Sequence, residues 1–377
     1  MVHHSEHAHA GRPAHDFWFR AADILNRPTE RHVIRRGIIA CCVLALFSNV
    51  ETVAESPSSS TRIITDMEKR EVALPRVISR ALGTGGALDA WFLMLGSMDK
   101  LVGSSAQLID NAWFAKIHPA VRKLQVIYSG NQVDKEALVA AAPQVALLLS
   151  GVSARREVEQ SGVPIVMLER DDPAQLEEAL ELVGHVLGER ELRIAREFRA
   201  YFESNVERVR ERTGPLPPQR IRRVYYAATA PLVTEGSRSI VSSWIETAGG
   251  VNMAGQAGVS GIGKTVQLED ILQWNPEVII AFLPAVRDQI LADPRWRSID
   301  AVKNGRVVVN PRGVYPWCTR SAEEALQTLW AAKTLHPELF DDIDLVQETQ
   351  IFHAKFYHYD LGRDDAERML RAAPPVP

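Results

Sequence analysis

Past residue 61, short apolar runs alternate with stretches of helical spacing along nearly the whole chain. The opening differs: RIITD at 62–66 is β-branched and REVAL at 70–74 alternates, so residues 66–70 read as the turn of a small hairpin. RVISRAL at 76–82 then reads as a strand, 83–86 as a glycine loop, ALDAWFLMLG at 87–96 as a helix and KLVGSS at 100–105 as a strand. VDKEALVAAAPQVALLL at 133–149 is a helix, a proline break and an apolar strand. REVEQSG at 156–162 and VPIVMLE at 163–169 repeat the pair. Strands taking turns with helices imply a mainly parallel sheet with helices on both faces.

Residues 173–213 change character. Leu176, Leu180, Val183, Leu187, Leu192, Ala195, Phe198 and Phe202 keep helical spacing, interrupted by Gly184 and Gly188. That pattern predicts one long helix kinked at the glycines and ended by TGPLPPQ at 213–219. A second alternating block follows: strand 222–228, helix 239–250, a helix–proline–strand unit at 266–283, strand 306–311, helix 321–340 and a helical tail at 346–373. The resulting fold class is α/β. An amino-terminal lobe at 62–172 and a carboxy-terminal lobe at 220–377 are bridged by a single long helix at 173–213, with a ligand cleft between them.

Residues 1–55 read as an extension and signal peptide. Arg35 and Arg36 precede an uncharged run at 37–47, and Thr52 and Ala54 sit where a signal peptidase cuts. This places the mature start near Glu55 and the protein in the periplasm. The run is too short to span a bilayer, and the apolar stretch before Cys41 is too short for a lipoprotein box. Cleavage removes Cys41 and Cys42 and leaves Cys318 as the single cysteine, so the mature chain has no internal disulfide. His3, His4, His7, His9 and His15 fit a solvated extension or a start site placed too far upstream, rather than a metal tract.

A charged fraction of 24% and a hydrophobic fraction of 46% over 377 residues suit a globular protein of two domains. The net charge of −4 lacks the basic excess of a nucleic-acid binder. No CxxC pair or Cys/His ligand spacing points to a zinc site. The chain reads as a monomer.

The helix–proline–strand unit occurs once per lobe, as VDKEALVAAAPQVALLL and VQLEDILQWNPEVIIAF. REVALPRVISRAL and LMLGSMDKLVG in the first lobe, and AGGVNMAG, DPRWRSIDAVKNGRVVVNP and LWAAKTLHPELF in the second, complete an ordered set. Together they resemble the periplasmic binding proteins of iron–siderophore, haem and cobalamin importers, over about residues 62–340. KFYHYDL near the end resembles the tail of an iron-chelate and oxyanion-binding branch. The resemblance implies a protein that captures a metal chelate, foremost a ferric siderophore, and delivers it to ABC permease subunits in the inner membrane. It implies no catalysis and no cofactor beyond what the ligand carries. Haem, cobalamin, or an oxyanion such as molybdate or tungstate remains open as the ligand. In many members a Glu early in the first helix of each lobe pairs with the permease; Asp89 and Glu246 stand at the matching places.

The residues offer several candidate contacts. Arg312, Tyr315, Trp317 and Arg320 lie between a strand and a helix, at the carboxyl edge where open α/β sheets bind ligands. Aromatics cover apolar parts of a chelate and guanidinium groups grip its oxygens. Trp113 with Lys116, and Arg238, occupy loops expected at the same edge. Thr84 and Gly85 precede a helix N-terminus, a source of anion-binding amides. Tyr226 or Tyr315 could serve haem as an axial ligand. His118, His353 and His358 have no partner in sequence and read as surface residues. Residues 258–265 fit G-x-x-x-x-G-K-[ST], but a helix end and a glycine loop precede them where a phosphate-binding loop needs a buried strand. They read as a rim loop whose Lys264 either meets an anionic ligand or is simply solvated. G-x-S-x-G is absent, which removes the nucleophile elbow of an exported hydrolase.

Overall fold

The computed structural model describes residues 60–129, 132–151 and 154–376. The expected signal peptide, Cys41, Cys42 and the histidine tract lie outside them. The hairpin forms as its alternation requires, with Thr61–Thr65 antiparallel to Glu71–Pro75. Asp66 closes its turn by accepting the Arg70 N–H at 2.9 Å and the Arg70 guanidinium at 2.6 Å. The same carboxylate takes the Met167 N–H at 3.1 Å, which ties the hairpin to the first lobe.

In the first lobe, strands Ala81–Thr84, Val145–Leu149 and Ile165–Leu168 run parallel in that order. A parallel bridge from Ala81 to Leu101 leads to Gly103–Ser105, which pairs with Gln125–Ser129. That last strand has two buried positions, Ile127 and Tyr128. In the second lobe four parallel strands stand in the order Gly250–Asn252, Arg222–Ala227, Val278–Ala281, Val307–Val309. Val278–Ala281 is buried at every position, as a parallel strand covered on both faces must be.

The connector departs from the expected single helix. Gly188, with φ of 148°, breaks residues 173–213 into helices Pro173–Leu187 and Glu189–Thr213. The two fold back on each other: Arg199 of the second meets Glu177 at 3.2 Å and Glu181 at 3.0 Å on the first. Gly184 permits this approach, because a Cβ there would stand 2.9 Å from the Leu192 Cα. The second helix reaches the other lobe. Asn205 donates to the Ala325 carbonyl at 2.9 Å, Thr213 to that of Thr247 at 2.8 Å, and Phe198 packs on Phe356 at 5.4 Å. The tail forms two helices, Leu345–Phe356 and Arg363–Leu370, packed against the second lobe.

Candidate ligand-binding cleft

A cavity of about 620 Å³ lies where the carboxyl ends of the two sets of strands face each other. Gly86 follows Ala81–Thr84, and Ser105 closes Gly103–Ser105. Thr229 follows Arg222–Ala227, Phe282 and Leu283 follow Val278–Ala281, and Arg312 and Tyr315 follow Val307–Val309. Each of these groups therefore sits at the sheet edge that open α/β folds use for binding.

Tyr315 is half-buried, and its ring packs so closely on Gly86 that a Cβ there would overlap it. Its loop is anchored from below by the fully buried Glu323, which accepts the N–H groups of Val314 at 3.0 Å and Tyr315 at 2.9 Å. Gly313 leaves room for that carboxylate, which a Cβ would overlap. His353 is not at the surface. It is fully buried, donates from Nδ1 to the Thr349 carbonyl at 2.8 Å, and places Nε2 3.6 Å from Glu323.

The half-buried Arg312 guanidinium lies 5.9 Å from the Phe282 ring. Its side chain makes no hydrogen bond or ion pair among the described residues. The same holds for Arg170, just past strand Ile165–Leu168, where burial and the neighbouring Arg320 hold the guanidinium below its usual range. Burial raises the Tyr315 phenol, and the fields of Arg170 and Arg312 oppose that rise. Arg170 escaped the sequence reading because it stands in the run ERDD, whose polarity reads as an ordinary loop. The described residues lining the cavity include no Asp, Glu, His or Cys. No group of three or more such residues that could hold a metal occurs among the described residues.

Trp113 does line the cavity, and its indole N–H donates to the Ala373 carbonyl at 3.0 Å. Lys116 is drawn away to Asp365 at 2.7 Å. Thr84 is buried with its hydroxyl on the Leu147 carbonyl at 3.2 Å, and the Gly85 N–H is spent on the Tyr128 hydroxyl at 3.0 Å. Trp317 and Tyr226 belong to the core, with the Tyr226 hydroxyl 3.4 Å from Cys318 Sγ. Burial pushes that thiol up to about 12. Arg320 is also buried: Nη2 faces Glu235 at 3.5 Å and Nε donates to the Arg170 carbonyl at 3.1 Å. Its φ of 64° turns its carbonyl to the Trp91 indole N–H and its own N–H to Glu324. Arg238 is exposed and bonded to Ser260 at 3.1 Å, away from the cavity. Lys264 is exposed in the two-residue strand Lys264–Thr265, which pairs with Val233–Thr234. No helix opens at Lys264, so the phosphate-loop pattern there is coincidental.

Of the two expected docking carboxylates, Glu246 is exposed on helix Ile240–Thr247. Asp89 is fully buried instead, accepting from the Ser104 and Tyr128 hydroxyls, and cannot meet a permease. Burial pushes its carboxyl up to about 7, and Oδ1 is left without a partner. A carboxyl raised by folding stabilises while neutral. That contribution is whole below the unfolded value of about 4 and is lost as pH rises through about 7. Asp89→Asn, neutral at all pH, should therefore melt above wild type at pH 8, with the gap narrowing as pH falls and closing at about pH 4. A difference independent of pH in calorimetry would contradict this.

Two lobes built on mainly parallel sheets and a helical connector enclose this cleft, the architecture of a two-lobed binding protein. Residues 84–312 match the family model described as periplasmic binding protein, and the chain belongs to that family. It is 29% identical over 365 residues to the molybdate-binding protein MolA of Haemophilus influenzae, covering 88% of this chain and 99% of MolA. The solved structure of MolA bound to molybdate aligns with a TM-score of 0.70 at 26% identity, over 80% of this chain and 99% of that one. Helicobacter pylori CeuE, solved with nickel, shares the fold at 18% identity and a TM-score of 0.69, over 82% and 99% of the two chains. The heme-binding RhuT of Roseiflexus shares it at 15% and 0.57, over 69% and 99%. The chain is thus the solute-binding component of an ABC importer.

Proposed function

We propose that this protein, exported by the signal at its amino terminus, captures a tetrahedral oxyanion of the molybdate or tungstate kind in the cleft for delivery to its permease. The observation that carries this reading is the chemistry of the cavity. It holds the Arg312 guanidinium, hydroxyl and amide side chains, and Gly86, the first residue of helix Gly86–Met94, which has no side-chain cap, with no acidic group on its described walls. An oxyanion offers only acceptors, and guanidinium and free helix amides are donors already held in place. A bare transition-metal cation would call for carboxylate, imidazole or thiolate ligands. The likeness to molybdate-binding MolA along nearly the full length of both chains supports the same class of ligand.

An anionic chelate such as a ferric siderophore is the second reading. The cavity's volume of about 620 Å³ and the Trp113 and Phe282 walls favour it, since pockets of that size commonly hold small organic molecules. Calorimetric titration with molybdate, tungstate, sulfate and a ferric catecholate separates the two. Molybdate and tungstate are expected to bind at micromolar concentrations or below, about −8 kcal/mol or better, with sulfate weaker. Heat from the ferric catecholate alone would reverse the ranking.

A further inference from the structure

The walls of the cavity come from both lobes and also from the segment after helix Arg363–Leu370: Ala372, Ala373, Pro374 and Pro375 line it. This segment is rooted in the second lobe, where Met369 and Ala366 are fully buried and the Met369 carbonyl accepts the Arg312 N–H at 3.0 Å. Its far side is held by the first lobe. Trp113 donates to the Ala373 carbonyl at 3.0 Å, and Lys116 pairs with Asp365 at 2.7 Å. The segment is kept in shape by its own helix, through Ala373 N–H to the Arg368 carbonyl at 2.8 Å and the Arg368 guanidinium to the Pro374 carbonyl at 2.7 Å.

We propose that residues 372–376 are a strap that closes the ligand cavity and latches the two lobes through Trp113, so that it sets how long the captured anion is retained. This rests on reading the cavity as the ligand site. Opening the cleft must carry Trp113 away from Ala373 and Lys116 away from Asp365. One neutral hydrogen bond and one half-exposed ion pair make a weak latch, as suits a protein that must give its ligand up. The two prolines cannot donate from their backbone nitrogens, so they wall the cavity without competing for an anion's neighbours.

The test uses the chain ending at Arg371 and the full-length Trp113→Phe variant, with sodium molybdate as the probe. Both are expected to release molybdate about tenfold faster than wild type, equivalent to about 1.4 kcal/mol, with association little changed and melting temperature within a few degrees. Hydrogen exchange without ligand gives an independent reading. Amides of residues 112–117 and 312–316 should exchange faster in both variants, while those of strand Val278–Ala281 stay protected. Unchanged release and unchanged exchange would overturn the strap. If wild type takes up no molybdate, the proposed ligand fails while the exchange arm still decides whether the strap latches the lobes.

Discussion

Arg320→Ala is expected to cost about 3–5 kcal/mol of folding stability, the range for removing one partner of a buried ion pair. The side chains of Arg320 and Glu235 are 5% and 7% exposed, so neither charge has water to fall back on. Removal also strips the Arg170 carbonyl of its donor. Burial already raises the Glu235 carboxyl, and Arg320 and Arg170 pull it down. Without Arg320 it rises further, so the deficit belongs to the ionised form: small near the unfolded value of about 4.3 and growing as pH rises above it. Denaturant melts at pH 5 and pH 8 should show the larger loss at pH 8. The paired change Arg320→Met with Glu235→Leu should recover most of it, because apolar replacement of both charges avoids the unpaired one. A fully stable Arg320→Ala protein with weakened ligand binding would mean instead that this arginine reaches the ligand.

Arg312→Ala should do the reverse, weakening molybdate about ten- to a hundred-fold while leaving the melting curve in place. A hydrogen bond involving a charged group contributes about 1.5–3 kcal/mol, and each 1.4 kcal/mol is tenfold in affinity. The stability cost is small because, among the described residues, the guanidinium has no hydrogen bond or ion pair and lies 5.9 Å from the Phe282 ring. Arg312→Lys should recover part of the loss, keeping the charge but not the two-pronged geometry. Unaltered affinity in a titration of Arg312→Ala would shift the anion contact to Arg170, the other guanidinium whose field reaches Tyr315.

The same loop, 312–320, shows how far sequence carries. Alternating strands and helices placed it after a parallel strand and before a helix, and the edge-binding rule then put it at the cleft. Tyr315 and Arg312 are there. Trp317 and Arg320, in the same stretch and of the same chemical types, turn inward to the core and to Glu235. Arginine and the large aromatics serve equally well as ligand contacts or as satisfied interior groups. Which applies depends on partners distant in sequence: Glu235 for Arg320, Ser104 and Tyr128 for Asp89, Asp365 for Lys116.

What the sequence by itself determined is therefore the class: strand–helix order, parallel sheets, two lobes and the sheet edge where the cavity lies, all consequences of local periodicity and glycine and proline punctuation. The tertiary structure decided that the interruption at Gly188 is a full turn and not a kink, where a φ of 148° ends one helix and lets the next fold back along it. It also decided which guanidinium groups stay unpaired. Charge pairing is settled by long-range packing, and a one-dimensional pattern does not hold it.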